Sequence, residues 1–232
     1  MKLQKLQILD GSWLKLLAVV TMFIDHAALI LLPCFPILRT PLFAGYTIYK
    51  VLRKVGRLAF PLFCFLLAEG FFHTKSKLKY GLNLLIFAFL SEIPYDLMRS
   101  GTVFSLQYQN IYFTLFLGFC ALWVLESPLK IHWKVLILVP LAILLPYLHI
   151  DYGRNGVLLI VLLYVLRENR LVASLLALPL LSGGFAAWAA FIPVGLYNGK
   201  RGFIRGKVLK YAFYCFYPVH ILLLLGIRYI LF

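Results

Sequence analysis

Residues 14–32 read LKLLAVVTMFIDHAALILL, and this stretch decides the fold class. It is apolar and long enough to cross the hydrocarbon core of a bilayer as one helix, which takes about 20 residues. Asp25 and His26 interrupt it. An ionisable side chain at that depth costs about 2.5 kcal/mol or more, so its presence indicates a function rather than a purely structural helix. We therefore predict a polytopic membrane protein with a membrane-embedded site at this pair.

The composition of the whole chain supports this interpretation. Hydrophobic residues make up 63% of the 232 positions and charged residues only 13%, whereas soluble domains carry about 25% charged residues. The formal charge of +15 resembles that of nucleic-acid-binding proteins, but the Lys and Arg residues cluster between apolar runs, as in loops that face anionic lipid. We therefore expect the lipid bilayer as a partner, and no nucleic acid. The four cysteines lack metal-ligand spacing, which predicts no metal site.

Nine apolar segments are candidate transmembrane helices of an all-α bundle, which we predict to form a single domain over residues 1–232. They lie near residues 12–32, 57–72, 80–98, 110–126, 134–149, 155–167, 170–182, 184–198 and 211–230. The first is too long for a cleavable signal peptide and lacks a small-residue cleavage site, so we expect it to be retained. In the nearly continuous apolar stretch 155–198, two long tilted helices or a re-entrant hairpin are alternatives to three short segments.

The positive charges predict a cytoplasmic N-terminus and an outer C-terminus. In that orientation the cytoplasmic segments hold most of the basic residues, among them Lys2, Lys5, Lys75, Lys77, Lys79 and the basic run at 200–210.

One basic group falls on the predicted outer side: Lys50, Arg53, Lys54 and Arg57. Lys50, Lys54 and Arg57 have the i, i+4, i+7 spacing of one helix face. Such a face is typical of an interfacial amphipathic helix, and the alternative is an entrance to the site that binds an anion or a carboxylate. Arg57 opens the second segment and is the best functional candidate of the four.

Two further ionisable residues fall at a depth similar to that of His26. At about 1.5 Å per helical residue, His26 lies about 20 Å from the inner boundary, Glu92 about 18 Å and His220 about 14 Å. Because buried polar groups need partners, we predict that these residues, with Asp25 and Asp96, converge on one polar cavity.

The ring of His26 needs a group that fixes its tautomer. Adjacent helical residues point about 100° apart, so Asp25 is not expected to hold its neighbour. Glu92 or Asp96 is the candidate, and Pro94 between them is expected to bend their helix. A histidine held by a carboxylate in a dry pocket is the arrangement required of a general base. The alternative is a satisfied core histidine with a structural role.

Several segments of the chain resemble the TraX family of membrane proteins, which is named for the F-pilin acetylation protein. They are LKLLAVVTMFIDHAA at 14–28, GRLAFPLFCFLLAEGFFHT at 56–74, LIFAFLSEIPYDL at 85–97, QNIYFT at 109–114, DYG at 151–153 and FYCFYPVHILLL at 213–224. The resemblance implies an acetyltransferase that moves an acetyl group from cytosolic acetyl-CoA to an amine. It also suggests a distant relation to multi-span acyltransferases with an essential histidine in an early helix, a position that His26 holds in this chain.

The residues and the resemblance together give a set of expected roles. The residues expected to be catalytic are His26, Asp25 and Glu92. Those expected to bind the substrate are Arg57, Asp96, His220 and Glu69. The phosphates of CoA or, alternatively, anionic lipid are expected to be bound by Lys75, Lys77 and Lys79. The expected location is the bacterial cytoplasmic (inner) membrane. The acceptor is left open between a peptide, a sugar and a lipid, and so are the acyl-chain preference and the oligomeric state.

Two other functions fit the same residues. Intramembrane Asp, Glu and His side chains also form proton relays and ion-coupled transporters, although the chain shows no internal inverted repeat. An accessory subunit of a secretion or pilus machine is the third alternative. Consumption of a thioester that depends on His26 distinguishes the enzyme from both.

Overall fold

A computed structural model describes residues 7–41 and 46–231 of the chain. Those residues form helices joined by turns, with no β-strand among them and with two isolated bridges, Leu9 to Tyr197 and Gln109 to Ile150. The prediction of an all-α fold is confirmed. Lys2 and Lys5, which contribute to the predicted cytoplasmic charge, lie outside the described residues.

The described chain contains α-helices of very different lengths. In chain order they are α1 (Gly11–Ile30), α2 (Ile48–Gly56), α3 (Ala59–His73), α4 (Lys77–Ser100), α5 (Ile111–Glu126), α6 (Ile131–Leu144), α7 (Gly153–Val165), α8 (Arg170–Ala177), α9 (Gly184–Trp188), α10 (Phe191–Gly195) and α11 (Lys207–Leu231). Short 3₁₀ helices are found at Leu32–Cys34, Pro36–Arg39, Leu145–Leu148 and Leu178–Leu180.

Five helical stretches of the described chain are long and apolar enough to cross a membrane. They are Gly11–Cys34, Ile48–His73, Lys77–Ser100, Ile131–Leu148 and Lys207–Leu231. Four shorter apolar stretches are Ile111–Glu126, Gly153–Val165, Arg170–Leu180 and Gly184–Gly195. Each of the nine predicted segments corresponds to one of these stretches. On α6 no residue is buried, and exposed side chains such as Trp133 and Leu136 give it the apolar surface of a lipid-facing helix.

The stretch 155–198 consists of short helices rather than of two long ones. α8 gives way to the 3₁₀ helix Leu178–Leu180, which contains Pro179, because proline has no backbone N–H to continue an α-helix. After the glycines at 183 and 184 the chain breaks again between α9 and α10. The stretch for which the sequence left alternatives open is therefore the one that the structure divides into several short helices.

The chain divides into two compact units. The first comprises the residues up to 63 together with 181–232, and the second comprises 64–180. In the first unit α1 packs against α2 and α11, and Leu14, Ala18 and Ile221 are fully buried there.

In the second unit α5 packs against both α4 and α7. Phe71 and Phe119 stack edge to face with ring centroids 5.0 Å apart, and Leu159 and Ile160 are fully buried. The core of this unit is therefore built of large apolar side chains from α3, α5 and α7.

The loop before α11 fixes the start of α1 in the first unit. Asp10 caps α1 by accepting a hydrogen bond from the Ser12 N–H at 2.8 Å. The Ser12 hydroxyl donates to the Arg201 carbonyl at 3.2 Å and accepts from the Ile204 N–H at 2.7 Å. Gly202 has a φ of 83°, and a Cβ there would lie 2.2 Å from Asp10 Oδ1, so only glycine fits.

Candidate active site

Asp25 on α1 forms an ion pair with Arg53 on α2. Arg53 Nη1 lies 2.7 Å from Asp25 Oδ2, and the two side chains are only 21% and 18% exposed. The same nitrogen lies 3.4 Å from the Asp25 carbonyl oxygen. Asp25 Oδ1 is buried and has no hydrogen-bond partner among the described residues. The carboxylate therefore holds α2 through one oxygen and leaves the other unused.

Gly56 makes this close approach of α2 to α1 possible. A Cβ at position 56 would lie 2.3 Å from Asp25 Cβ and from Asp25 Oδ1. Arg57 follows directly and is close enough for its charge to act on the Asp25 carboxylate. Its Cβ packs against Gly183, where an added Cβ would lie 2.9 Å away. The carboxylate is thus paired with Arg53 and also feels the charge of Arg57.

His26 points to a different neighbour, His220 on α11. His26 Nδ1 and His220 Nε2 are 2.7 Å apart, and the ring centroids are 4.9 Å apart. His220 is 3% exposed, and its ring stacks on Phe216 at 4.6 Å with an interplanar angle of 17°. Tyr217 lies edge-on to both imidazoles at 5.8 and 6.0 Å. We call Asp25, His26, Arg53 and His220 the histidine cluster.

The sequence prediction that Glu92 or Asp96 holds the ring of His26 is wrong for Nδ1, which is held by a second imidazole. The geometry of α1 explains the difference, because the 100° turn between residues sends Asp25 toward α2 and His26 toward α11. Asp25, His26 and His220 lie together within the first unit, as predicted. The convergence of Glu92 and Asp96 on the same cavity stays a prediction.

Within the second unit Glu92 is bound to the start of α5. Glu92 Oε1 accepts a hydrogen bond from the Asn110 backbone N–H at 2.9 Å and a further short one from the Asn110 side-chain amide. That amide also donates to the Ala88 carbonyl at 2.7 Å, while Asn110 Oδ1 caps α5 by accepting from the Tyr112 N–H at 2.9 Å. Asn110 is completely buried.

Asp96 fixes the segment between α4 and α5 in a similar way. Its Oδ2 accepts from the Ser105 N–H at 2.8 Å, and its carbonyl accepts from the Ser100 hydroxyl at 2.8 Å. Asp96 is 2% exposed. We call Glu92, Asp96 and Asn110 the carboxylate cluster. Its hydrogen bonds shape one loop and one helix start.

Most of the chain matches one known protein family. A family model described as "TraX protein" matches residues 10–228, from the cap of α1 to the last turn of α11. The chain belongs to the TraX family. A relative from Dichelobacter nodosus, "Probable fimbrial assembly protein FimC, serogroup H1", is 35% identical over 239 aligned residues, which cover 91% of this chain and 92% of that protein. No solved structure matches the chain.

Both clusters lie inside the region that matches TraX, and the resemblance predicted from the sequence is confirmed. The other predicted site residues are found at helix ends in the second unit. Glu69 Oε2 lies 3.7 Å from His73 Nε2, one turn along α3. Lys77 Nζ lies 4.5 Å from the centroid of the buried Phe71 ring, whereas Lys75 and Lys79 are exposed.

No group of three or more His, Cys, Asp and Glu side chains within 7–41 and 46–231 is arranged to hold a metal ion. The four cysteines are free thiols.

The sequence analysis assigns no role of their own to two cluster residues, Arg53 and Asn110, or to Gly56, which lies beside the histidine cluster. The spacing of Arg53, Gly56 and Arg57, at i, i+3 and i+4, places a glycine between two guanidinium groups on one helix face, and this spacing is visible in the sequence. Asn110 directly precedes an apolar run, as an N-cap residue does.

Proposed function

We propose that this TraX protein is a membrane-embedded acetyltransferase that moves an acetyl group from acetyl-CoA to an amine or hydroxyl of an envelope or pilin-like acceptor, with His26 as the general base. The family membership supports a role related to fimbrial or pilin assembly. The name of the relative, a probable fimbrial assembly protein, supports an acceptor on the surface-assembly pathway. The bacterial inner membrane is the proposed location, because acetyl-CoA is a cytosolic substrate.

One observation carries the proposal: a histidine inside an apolar helix has one ring nitrogen held at 2.7 Å and the other without a described partner. A general base needs both a fixed ring and a nitrogen that faces the substrate. Positioned proton transfer of this kind contributes about 10²- to 10⁴-fold to a rate. A core histidine with only a structural role is expected to have both ring nitrogens paired, so the nitrogen without a described partner favours the base.

The proposed reaction is direct acyl transfer. The acceptor nitrogen attacks the thioester carbonyl carbon while His26 removes a proton from that nitrogen, and the carbonyl electrons move onto oxygen. The oxyanion collapses, the C–S bond breaks, and the CoA thiolate takes the proton back from the imidazolium of His26. The products are an acetamide and free CoA thiol, so atoms and charge balance. For a hydroxyl acceptor the product is an ester.

The charges beside His26 suit this reaction. We propose that Asp25 Oδ1, which packs against Gly56 and has no described partner, accepts a hydrogen bond from the acceptor amine once that amine enters the site. The guanidinium groups of Arg53 and Arg57 bring positive charge to the site where the oxyanion develops. We propose that Lys75, Lys77 and Lys79 bind the phosphates of CoA. We also propose that Glu69, Asp96 and His220 bind the substrate.

The test is acetyl transfer by the purified full chain in nanodiscs. Free CoA and acetylated product are quantified by chromatography with mass detection, because the four free thiols would react with a thiol reagent. One acceptor peptide is offered with a free N-terminal amine and the same peptide with that amine blocked. Wild type is compared with His26→Ala and with a control, His132→Ala, whose side chain is exposed on α6.

The expected result is amine-dependent CoA release by wild type and His132→Ala, and its loss in His26→Ala. Binding of acetyl-CoA is measured separately by calorimetry. Failure of wild type to bind acetyl-CoA would overturn the proposal and favour a proton- or ion-coupled transporter, which a buried Asp–Arg pair beside two histidines also fits.

A further inference from the structure

We infer that His220 is a positioning residue that fixes the tautomer of His26 through a chain running from the Phe216 carbonyl to His220 and on to His26. The chain leaves the lone pair of His26 on Nε2, the nitrogen that faces away from His220. The catalytic consequence rests on the proposed function, but the proton arrangement itself follows from the geometry alone.

The chain begins at a group whose hydrogen-bonding role is fixed. His220 Nδ1 lies 2.6 Å from the backbone carbonyl oxygen of Phe216. A carbonyl oxygen only accepts hydrogen bonds, so Nδ1 of His220 carries the hydrogen. The two residues are four apart on α11, where side chains lean back over the preceding turn, so the ring reaches this carbonyl without leaving the helix.

The second link follows from the first. A neutral imidazole carries one N–H, so His220 Nε2 has a lone pair. Two bare nitrogens do not approach to the 2.7 Å observed, and therefore Nδ1 of His26 carries the hydrogen and donates it. Neutral His26 then has its lone pair on Nε2. No described residue forms a hydrogen bond with this nitrogen.

The opposite arrangement requires a charged His220. A cationic ring would donate to His26 Nδ1 and leave Nε2 of His26 protonated, unable to act as a base. His220 is 3% exposed, and its described neighbours are the rings of Phe23, Phe216, Tyr217 and His26 with no carboxylate. Burying a cation without a counter-ion in such surroundings is costly, so the neutral arrangement is favoured.

An imidazole and a carbonyl take the place that a carboxylate has in many histidine-dependent enzymes. The difference suits a membrane interior, because neither group adds a negative charge that must be desolvated. When His26 Nε2 receives a proton, the pair holds one extra proton and one positive charge. The Nδ1 hydrogen can move to His220 Nε2, which shares that charge, and it returns when Nε2 gives its proton to the thiolate.

Nitrogen NMR of the full chain in nanodiscs tests the proton arrangement directly. The five histidines are labelled with ¹⁵N, and His26 and His220 are assigned by the loss of signals in His26→Gln and His220→Gln. We expect both rings in wild type to show a protonated Nδ1 and a bare Nε2, with a coupling across the His26–His220 hydrogen bond. A protonated Nε2 on neutral His26, or a cationic His220 at neutral pH, would overturn the inference.

A kinetic comparison tests the consequence. His220→Phe keeps a flat ring and removes the acceptor, so we expect kcat to fall by about 10²-fold with KM unchanged, while the His26 signal splits between tautomers. In His220→Gln the amide oxygen still accepts from His26 Nδ1, and we expect most of kcat to return. Equal loss in both variants would leave His220 with a packing role only and overturn the positioning role.

The tautomer inference and the acetyltransferase proposal are contradicted by different results. If the NMR spectra show the expected tautomers but no acceptor is acetylated, the proton chain stands and the acetyltransferase proposal fails. If transfer occurs with the other tautomer, the acetyltransferase stands and this inference fails. The wild-type spectrum, assigned with the two Gln variants, decides the tautomers even where His220→Phe does not fold.

Discussion

The histidine cluster of the first unit and the carboxylate cluster of the second are both polar and partly or fully buried, yet they use their polar atoms differently. Glu92 and Asp96 each bind a backbone N–H and thereby fix a loop and a helix start. Asp25 and His26 are bound instead to side chains of other helices, Arg53 and His220. Buried polar atoms are nearly always paired, so the buried and unpaired Asp25 Oδ1 indicates a place for a ligand in the histidine cluster.

The largest expected effect is on the rate of acetyl transfer, which we expect to depend on the histidine cluster and not on the carboxylate cluster. In His26→Gln we expect the rate of acetyl transfer to fall by about 10²- to 10⁴-fold, because the base is gone. In Glu92→Gln the amide oxygen still accepts from Asn110, and we expect kcat within about threefold of wild type. Rates are measured with equal amounts of folded protein in nanodiscs. Loss of activity in Glu92→Gln as well would place Glu92 in the chemistry, as the sequence predicts.

The next effect concerns the close contact of α1 and α2. Gly56→Ala adds a methyl group 2.3 Å from Asp25 Cβ and Oδ1, so one helix must shift. We expect a loss of about 3 kcal/mol in the free energy of unfolding, at the upper end for overpacking.

The control is Gly226→Ala on α11, where an added Cβ has nothing within 4 Å. There we expect no loss, or a gain of up to about 1 kcal/mol from helix propensity. Both are measured by equilibrium unfolding in mixed micelles that contain SDS. Equal effects at the two glycines would show that α2 is free to move away from α1.

The Asp25–Arg53 pair gives the third prediction. Arg53→Ala leaves the carboxylate without its partner, and we expect a loss of about 2 kcal/mol, below that of a fully buried pair because both side chains are about one-fifth exposed. Asp25→Asn in the same chain should restore part of this loss, since no uncompensated charge remains. A double-mutant cycle measures the coupling, and strictly additive effects would mean that the pair is not formed.

The smallest effect tests the carboxylate cluster itself. Asn110→Ala removes the cap of α5 and the link to Glu92 together, and we expect a loss of about 1.5 kcal/mol. Asn169→Ala is the matched control, because Asn169 caps α8 from an exposed position and its side chain accepts from Val172 N–H at 3.3 Å. A loss of about 0.5 kcal/mol is expected there. Equal losses would mean that the link to Glu92 contributes nothing.

Much of the fold follows from the sequence because transmembrane helices are set by local composition. Residues 14–32 and 80–98 are long apolar runs, and each forms a helix where predicted. In residues 155–198 the polar run at 167–170 marks the break between α7 and α8. The breaks at Pro179 and after the glycines at 183 and 184 lie in nearly uniform hydropathy, which alone does not locate them.

The site follows less completely from the sequence, because partner choice is a property of helix rotation. Depth along a helix predicts that Asp25, His26 and His220 lie near one another, and within the first unit they do. Depth carries no information on which side of α1 faces α2 and which faces α11. The pairing of Asp25 with Arg53, and of one histidine with another, therefore requires the structure.

His26 and His220 are 194 positions apart in the sequence, and this separation has a consequence for biogenesis. During synthesis α1 enters the membrane, and the whole of the second unit is translated before α11 emerges. Throughout that interval a nascent chain holds an imidazole inside the bilayer without its eventual partner. Ribosome-bound intermediates stalled before position 220 are therefore the species in which a factor that shields α1 should be sought.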